Sequence, residues 1–163
     1  MSLVKLNTRS GGGITESDQW RITTSFNGSS NPITANWERN DTVFDKIGTG
    51  MSESSGIFTF PSTGIYKVEF LAISNKSGGT SQYSAVKINI TENNSSYTER
   101  ATGYSNVALD GAWSGGYVQT NIDVTDTTNI KVQFGVVNQS ATDFIGNTNV
   151  NKTTATFTRI GDT

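Results

Sequence analysis

The chain has 163 residues, with 12 basic and 14 acidic side chains, a formal net charge of -2 and neither histidine nor cysteine. That length suffices for one domain with a closed hydrophobic core. The charge balance leaves no basic footprint for nucleic acid. The missing residue types remove disulfides, thiolate nucleophiles, the usual general base and most transition-metal ligands.

Gly, Ser, Thr and Asn supply close to half of the residues, alongside only two prolines. This composition suits strands joined by tight turns. Low hydrophobicity without high net charge, and aromatics that recur at strand spacing, argue for a folded chain.

Residues 1–15 read as an arm with a glycine-rich linker. Leu3, Val4 and Leu6 are candidates for a short strand, cut off by Gly11-Gly12-Gly13. Two readings stay open: a disordered tail, or a particle-anchoring strand that adds to another chain's sheet. The start lacks the apolar region of a secretory signal, and no run approaches the roughly 20 apolar residues of a membrane helix. A soluble chain with no signal peptide and no membrane insertion, made in a cytoplasm, is expected.

Residues 16–163 read as one all-β domain. Trp20, Ile22, Thr24 and Phe26 alternate with Arg21, Thr23 and Ser25, and residues 27–32 turn the chain. Ile33, Ala35 and Trp37 alternate next, followed by Val43–Ile47 and a Gly/Ser-rich loop over 48–56. The central stretch 56–73 predicts strand, Pro/Gly turn, strand, in the manner of a hairpin. Phe58 and Phe60 share one face, as do Tyr66, Val68, Phe70 and Ala72. Beyond a turn at 75–79, Val86, Ile88 and Ile90 oppose Lys87, Asn89 and Thr91.

A further turn leads into a strand at Tyr97–Tyr104. Val118, Thr120, Ile122 and Val124 form the next apolar face, then Ile130, Val132, Phe134 and Val136, and finally Ala155 and Phe157. About eight to ten antiparallel strands result, each with one apolar face. Their spacing predicts a jelly-roll sandwich.

The central residues carry a family resemblance. Phe58, Gly64, Tyr66, Val68 and Phe70 resemble the core signature of the complement C1q/TNF-like jelly roll, with Val68 standing where that pattern has Phe. Upstream, Lys46 and Met51 occupy places where the family has Asn or Asp and an aromatic or Leu; Asp45 is one residue off. The resemblance spans roughly residues 20–160 and implies a compact homotrimer. One hint is independent of it: Lys67 and Glu69 interrupt a second apolar face of Ile65, Leu71 and Ile73, as expected where that face meets a partner. The layout of arm, glycines and jelly roll is similar to virion proteins of tailed bacteriophages, whether capsid decoration or tail fibre. That similarity implies residence on a virion with capsid or tail proteins as partners.

Chemistry-bearing constellations are sparse. Serine without histidine assembles no hydrolase triad, and most acidic residues sit in turns, where Asp bonds the nearby backbone. No catalytic residue is assigned and the chain is expected not to be an enzyme. No metal or cofactor site is assigned either, although Asp123, Asp126, Asn129 and Asp143 offer hard oxygen ligands suited to Ca²⁺. Tyr97, Tyr104, Trp113 and Tyr117 are expected in exposed loops. Trp113, in a glycine-rich run, suits stacking on a host surface glycan, an interface anchor or plain core packing.

Overall fold

A computed structural model describes residues 13–163. Leu3, Val4 and Leu6 therefore lie outside the described residues. Among those described there is no helix, and hence none long and apolar enough to cross a membrane. The first six strands are short: β1 (Ser17–Ile22), β2 (Phe26–Asn27), β3 (Trp37–Arg39), β4 (Lys46–Ile47), β5 (Ser52–Ser54) and β6 (Ile57–Thr59). Four long ones follow: β7 (Gly64–Asn75), β8 (Ser81–Thr91), β9 (Thr98–Val107) and β10 (Trp113–Val124). The set closes with β11 (Lys131–Asn138), β12 (Asp143–Phe144) and β13 (Thr153–Gly161).

They form two antiparallel sheets. One runs β2-β12-β7-β13-β1-β3, with β10 on the other flank of β7 and β4 against β1; the second runs β5-β6-β11-β8-β9. The inner faces meet in an aromatic core. Phe58 packs on Trp20, Trp37, Phe134 and Phe157, and Phe70 packs on Phe134 at a centroid distance of 5.0 Å. Phe58, Phe70, Phe134 and Phe157 are all essentially inaccessible to water. Burial of each such side chain contributes about 1.5–3 kcal/mol.

The central stretch departs from the hairpin expectation. β6 pairs with β5 and β11, whereas β7 pairs with β10, β12 and β13, so the Pro61–Gly64 turn carries the chain across the sandwich. Apolar burial explains the crossing. Phe60 must face Tyr66 and Phe157 from the opposite sheet, with centroids 4.8 and 6.4 Å away.

Two other expectations shorten. The strand begun by Trp20 and Ile22 stops at Ile22, and Phe26 pairs elsewhere, as β2 against β12. Of Val43–Ile47 only Lys46–Ile47 is strand, and Val43 is 91% exposed. Here side chains rather than a ladder organise the backbone, because Arg21 holds Asn40, Asp41 and Thr42.

Along one side of the sandwich the two sheets touch directly. A Cβ on Gly103 of β9 would collide with the Tyr117 carbonyl oxygen of β10, and one on Gly116 would lie 2.7 Å from Val86 Cγ1. Only glycine permits that approach.

Candidate functional site

β7 alternates strictly between buried and half-buried positions. Tyr66, Val68, Phe70 and Ala72 point into the core, so Ile65, Lys67, Glu69, Leu71 and Ile73 must line the outer face of the eight-stranded sheet. Register brings further residues to them. Leu71 stands between Tyr117 of β10 and Thr154 of β13, and Ile73 stands opposite Gly115. A Cβ on Gly115 would lie 3.2 Å from Ile73 Cδ1, so the glycine gives the isoleucine room to lie on its neighbour.

Tyr117 is 50% and Trp113 60% exposed on this same face. Lys152 Nζ sits 4.9 Å from the centroid of the Trp113 ring, a cation–π contact. Asn75 Nδ2 donates to the Gly111 and Ala112 carbonyls, which fixes the loop leading into Trp113. The two charges that β7 itself brings to the face are paired: Lys67 Nζ lies 2.9 Å from Glu69 Oε1. The Tyr117 hydroxyl donates to the same carboxylate at 2.5 Å and to Gln119 Oε1 at 3.1 Å.

These contacts set the titration of both groups. Partial burial pushes the Glu69 carboxyl up, but the Tyr117 hydroxyl and the Lys67 ammonium outweigh it and hold the group below its ordinary value. The Tyr117 phenol is pushed up to about 12, first by its bond to Glu69 and then by desolvation. The face is thus apolar around Leu71 and Ile73 and rimmed by two aromatic rings.

The β1–β3 half of the same outer face is closed. Arg21 is 1% exposed and donates through Nε and Nη2 to Glu38, through Nη1 to Asn40 Oδ1 and Thr42 Oγ1, and through Nη2 to Asp41. Asn40 and Asn151 in turn donate to Gln19 Oε1, at 2.7 and 2.6 Å.

The structure gathers Ile65, Leu71, Ile73, Trp113 and Tyr117 on one surface. Tyr104 is not part of it; it projects from the outer face of the five-stranded sheet, against Tyr83. Tyr104, Trp113 and Tyr117 stand on strands instead of the expected loops. The glycines beside Trp113 read as a loop, yet they occupy ladder positions where Ile73 and Val86 fill the vacant volume. Tyr97 precedes β9, half-buried with its hydroxyl enclosed, and desolvation raises its pKa.

The acidic residues serve local structure. The Asp126 carboxylate accepts the Thr128 and Asn129 amides and the Asn129 side chain, and Asp110 accepts the Gly78 and Gly79 amides. Asp143 bonds Asn27 and registers with Asn75, whereas Asp123 registers with Ile65 at the other end of β7. Asp143 therefore stands apart from Asp123, Asp126 and Asn129, which line one hollow together with Glu92, and the described residues contain no cluster of three His, Cys, Asp or Glu side chains placed to hold a metal. Arg21 and Tyr83 were invisible as site residues in the linear pattern.

Two antiparallel sheets of this order and content define a TNF-like jelly roll. Solved structures bear this out. The crystal structure of murine APRIL at pH 5.0 superposes with a TM-score of 0.66 at 10% identity, covering 89% of this chain and 98% of that one. Eiger TNF from S. frugiperda superposes with a TM-score of 0.68 at 9% identity, covering 93% and 96%. At such identities the likeness is one of fold. No protein-family profile and no curated protein sequence matches the chain.

Proposed function

We propose that this chain is a non-enzymatic structural module that assembles as a homotrimer through the outer face of its eight-stranded sheet. The observation that carries the proposal is the Leu71–Ile73–Tyr117–Trp113 surface. It is apolar at Leu71 and Ile73 and rimmed by aromatics, with Lys67 and Glu69 paired to each other, while the adjoining half of the same face is sealed by the protomer's own loop. The fold class supports it, as does the aromatic content typical of interface anchors. A stable interface of standard size needs about 800 Å² per partner, within reach of one sandwich face.

Light scattering of the full chain tests this. The expected mass is three times 17.5 kDa, falling to one chain in Leu71→Glu. A monomeric wild type overturns it. The assembly holds no cofactor in this reading, so EDTA leaves the mass unchanged.

Within the same reading the trimer is a virion component of a tailed phage, a capsid decoration or tail-fibre protein, with residues 1–15 as the arm that docks on the particle. The support is the sequence: a cysteine-free, turn-rich jelly roll behind a glycine linker. Deleting residues 1–15 is expected to abolish particle binding while preserving the trimer's mass. Undiminished particle binding removes the anchoring role.

A further inference from the structure

β8 and β9 run in step from Ser84↔Ser105 to Ile88↔Ala101, but Ser81 pairs with Val107, so Gln82 and Tyr83 together oppose the single residue Asn106. This is a β-bulge, a device that re-aims side chains and recurs beside binding sites. Its effect is visible in the burial. Ser81 and Ser84 are buried, while Gln82 and Tyr83 both turn outward and break the alternation of the strand. The bulge is pinned as well: the Tyr83 carbonyl accepts from Ser81 Oγ at 3.0 Å and from the Gln139 amide at 3.2 Å, and the Gln82 amide donates to Gln139 Oε1 at 3.2 Å.

The bulge thus adds Gln82 to the outer face beside Tyr83, which stands next to Tyr104 with ring centroids 6.3 Å apart and planes at 72°. They are 40% and 69% exposed above the small buried Ala85. The hollow between them has a volume of about 260 Å³ and is lined by Gln82, Tyr83, Tyr104, Ser105 and Asn106. None of these side chains is charged. Two ring faces near a right angle suit the C–H face of a sugar ring, and the amides of Gln82 and Asn106 both donate and accept, as paired sugar hydroxyls require.

We propose that the Tyr83–Tyr104 corner is a binding site for a neutral pyranose, as the terminal hexose of a glycan. The neutral lining offers no counter-charge to an acidic sugar or a phosphate. The site lies on the outer face of the five-stranded sheet, across the sandwich from the Leu71–Tyr117 surface, so binding and self-association are separable.

Saturation-transfer NMR on the full chain tests this with four probes: the methyl glycosides of glucose, galactose and mannose, and N-acetylglucosamine. Transfer to at least one is expected. Tyr83→Ala and Tyr104→Ala should each weaken it by about tenfold, the loss of one stacked ring, with melting temperature and mass unchanged. Tyr104→Phe should retain it, because the ring face remains, and Trp113→Ala should not affect it. Absence of transfer to all four probes, or transfer that survives both alanine variants, overturns the proposal. So does a change of mass in Tyr104→Ala, which would make the corner an interface.

Discussion

The outer face of the eight-stranded sheet is finished on one half and unfinished on the other. Over β1 and β3 the chain folds its own 40–42 segment down and ties it to Arg21, whose donors are all engaged. Over β7 and β10 no segment of the described residues returns, and among those residues Leu71, Ile73, Tyr117 and Trp113 are left half-covered or exposed. Both halves rest on the same ladder and the same core. The difference is between a second face closed by polar saturation within the protomer and one that stays apolar. A buried guanidinium is tolerable only with every donor met, whereas the half-buried Leu71, between Tyr117 and Thr154, is the point through which the proposed trimer would form.

The largest effect should come from breaking the finished half. Arg21→Met removes one partner of the buried Asn40 and leaves Glu38 and Asp41 without their cation, at an expected cost of about 3 kcal/mol in urea unfolding. The mass in solution should not change. A variant as stable as the parent would mean that the 40–42 segment is not pinned, and the contrast between halves would dissolve.

Leu71→Glu is the mirror experiment. Its fold should lose no more than about 1 kcal/mol, as surface changes do, while the oligomer is lost. Equal loss of stability in both variants would show that the two halves are alike.

The smallest effect sharpens the account of the rim. Tyr117→Phe removes a hydroxyl from Glu69, at a cost of under about 1 kcal/mol for a partly exposed pair. Because the folded Glu69 carboxyl is held below its ordinary value of 4.5, its contribution is complete above that pH and is lost as the pH falls through the folded value. The stability gap between parent and variant should thus be widest near neutrality and close on acidification. A gap that is constant with pH would show that the hydroxyl acts through packing alone.

Much of the fold was legible because a period of two assigns faces without knowledge of neighbours. Val68, Phe70, Ile88, Val132, Phe134 and Phe157 are all buried as their alternation required. The same period marked Ile65, Leu71 and Ile73 as a second apolar face. Alternation does not, however, assign ladders. Phe58 and Tyr66 face one core from opposite sheets, and the intervening turn looks the same in a hairpin and in a crossover.

Arg21 reads as exposed in the pattern Trp20-Arg21-Ile22, since what buries it arrives twenty residues later. The alternation of Ser84, Val86 and Ile88 already sets Tyr83 on the outer face, but that it meets Tyr104 follows from the pairing of β8 with β9, which the linear pattern does not show. The glycines at 115 and 116 misdirected Trp113 and Tyr117 to a loop because turn chemistry and close strand packing favour the same residue.

The glycine seam at Gly103 and Gly116 bears on how the protein behaves when crowded. A sandwich ends in strands with unpaired amides and carbonyls, and long ones are templates for uncontrolled polymerisation. Here the two long terminal strands, β9 and β10, lean on each other at Gly103 and Tyr117. Among the described residues, the other ends of the sheets are β2, β3, β4 and β5, of two or three residues each. Foreign chains therefore meet short stubs or an occupied corner, and the contacts left open to another copy are made by side chains, which can be selective.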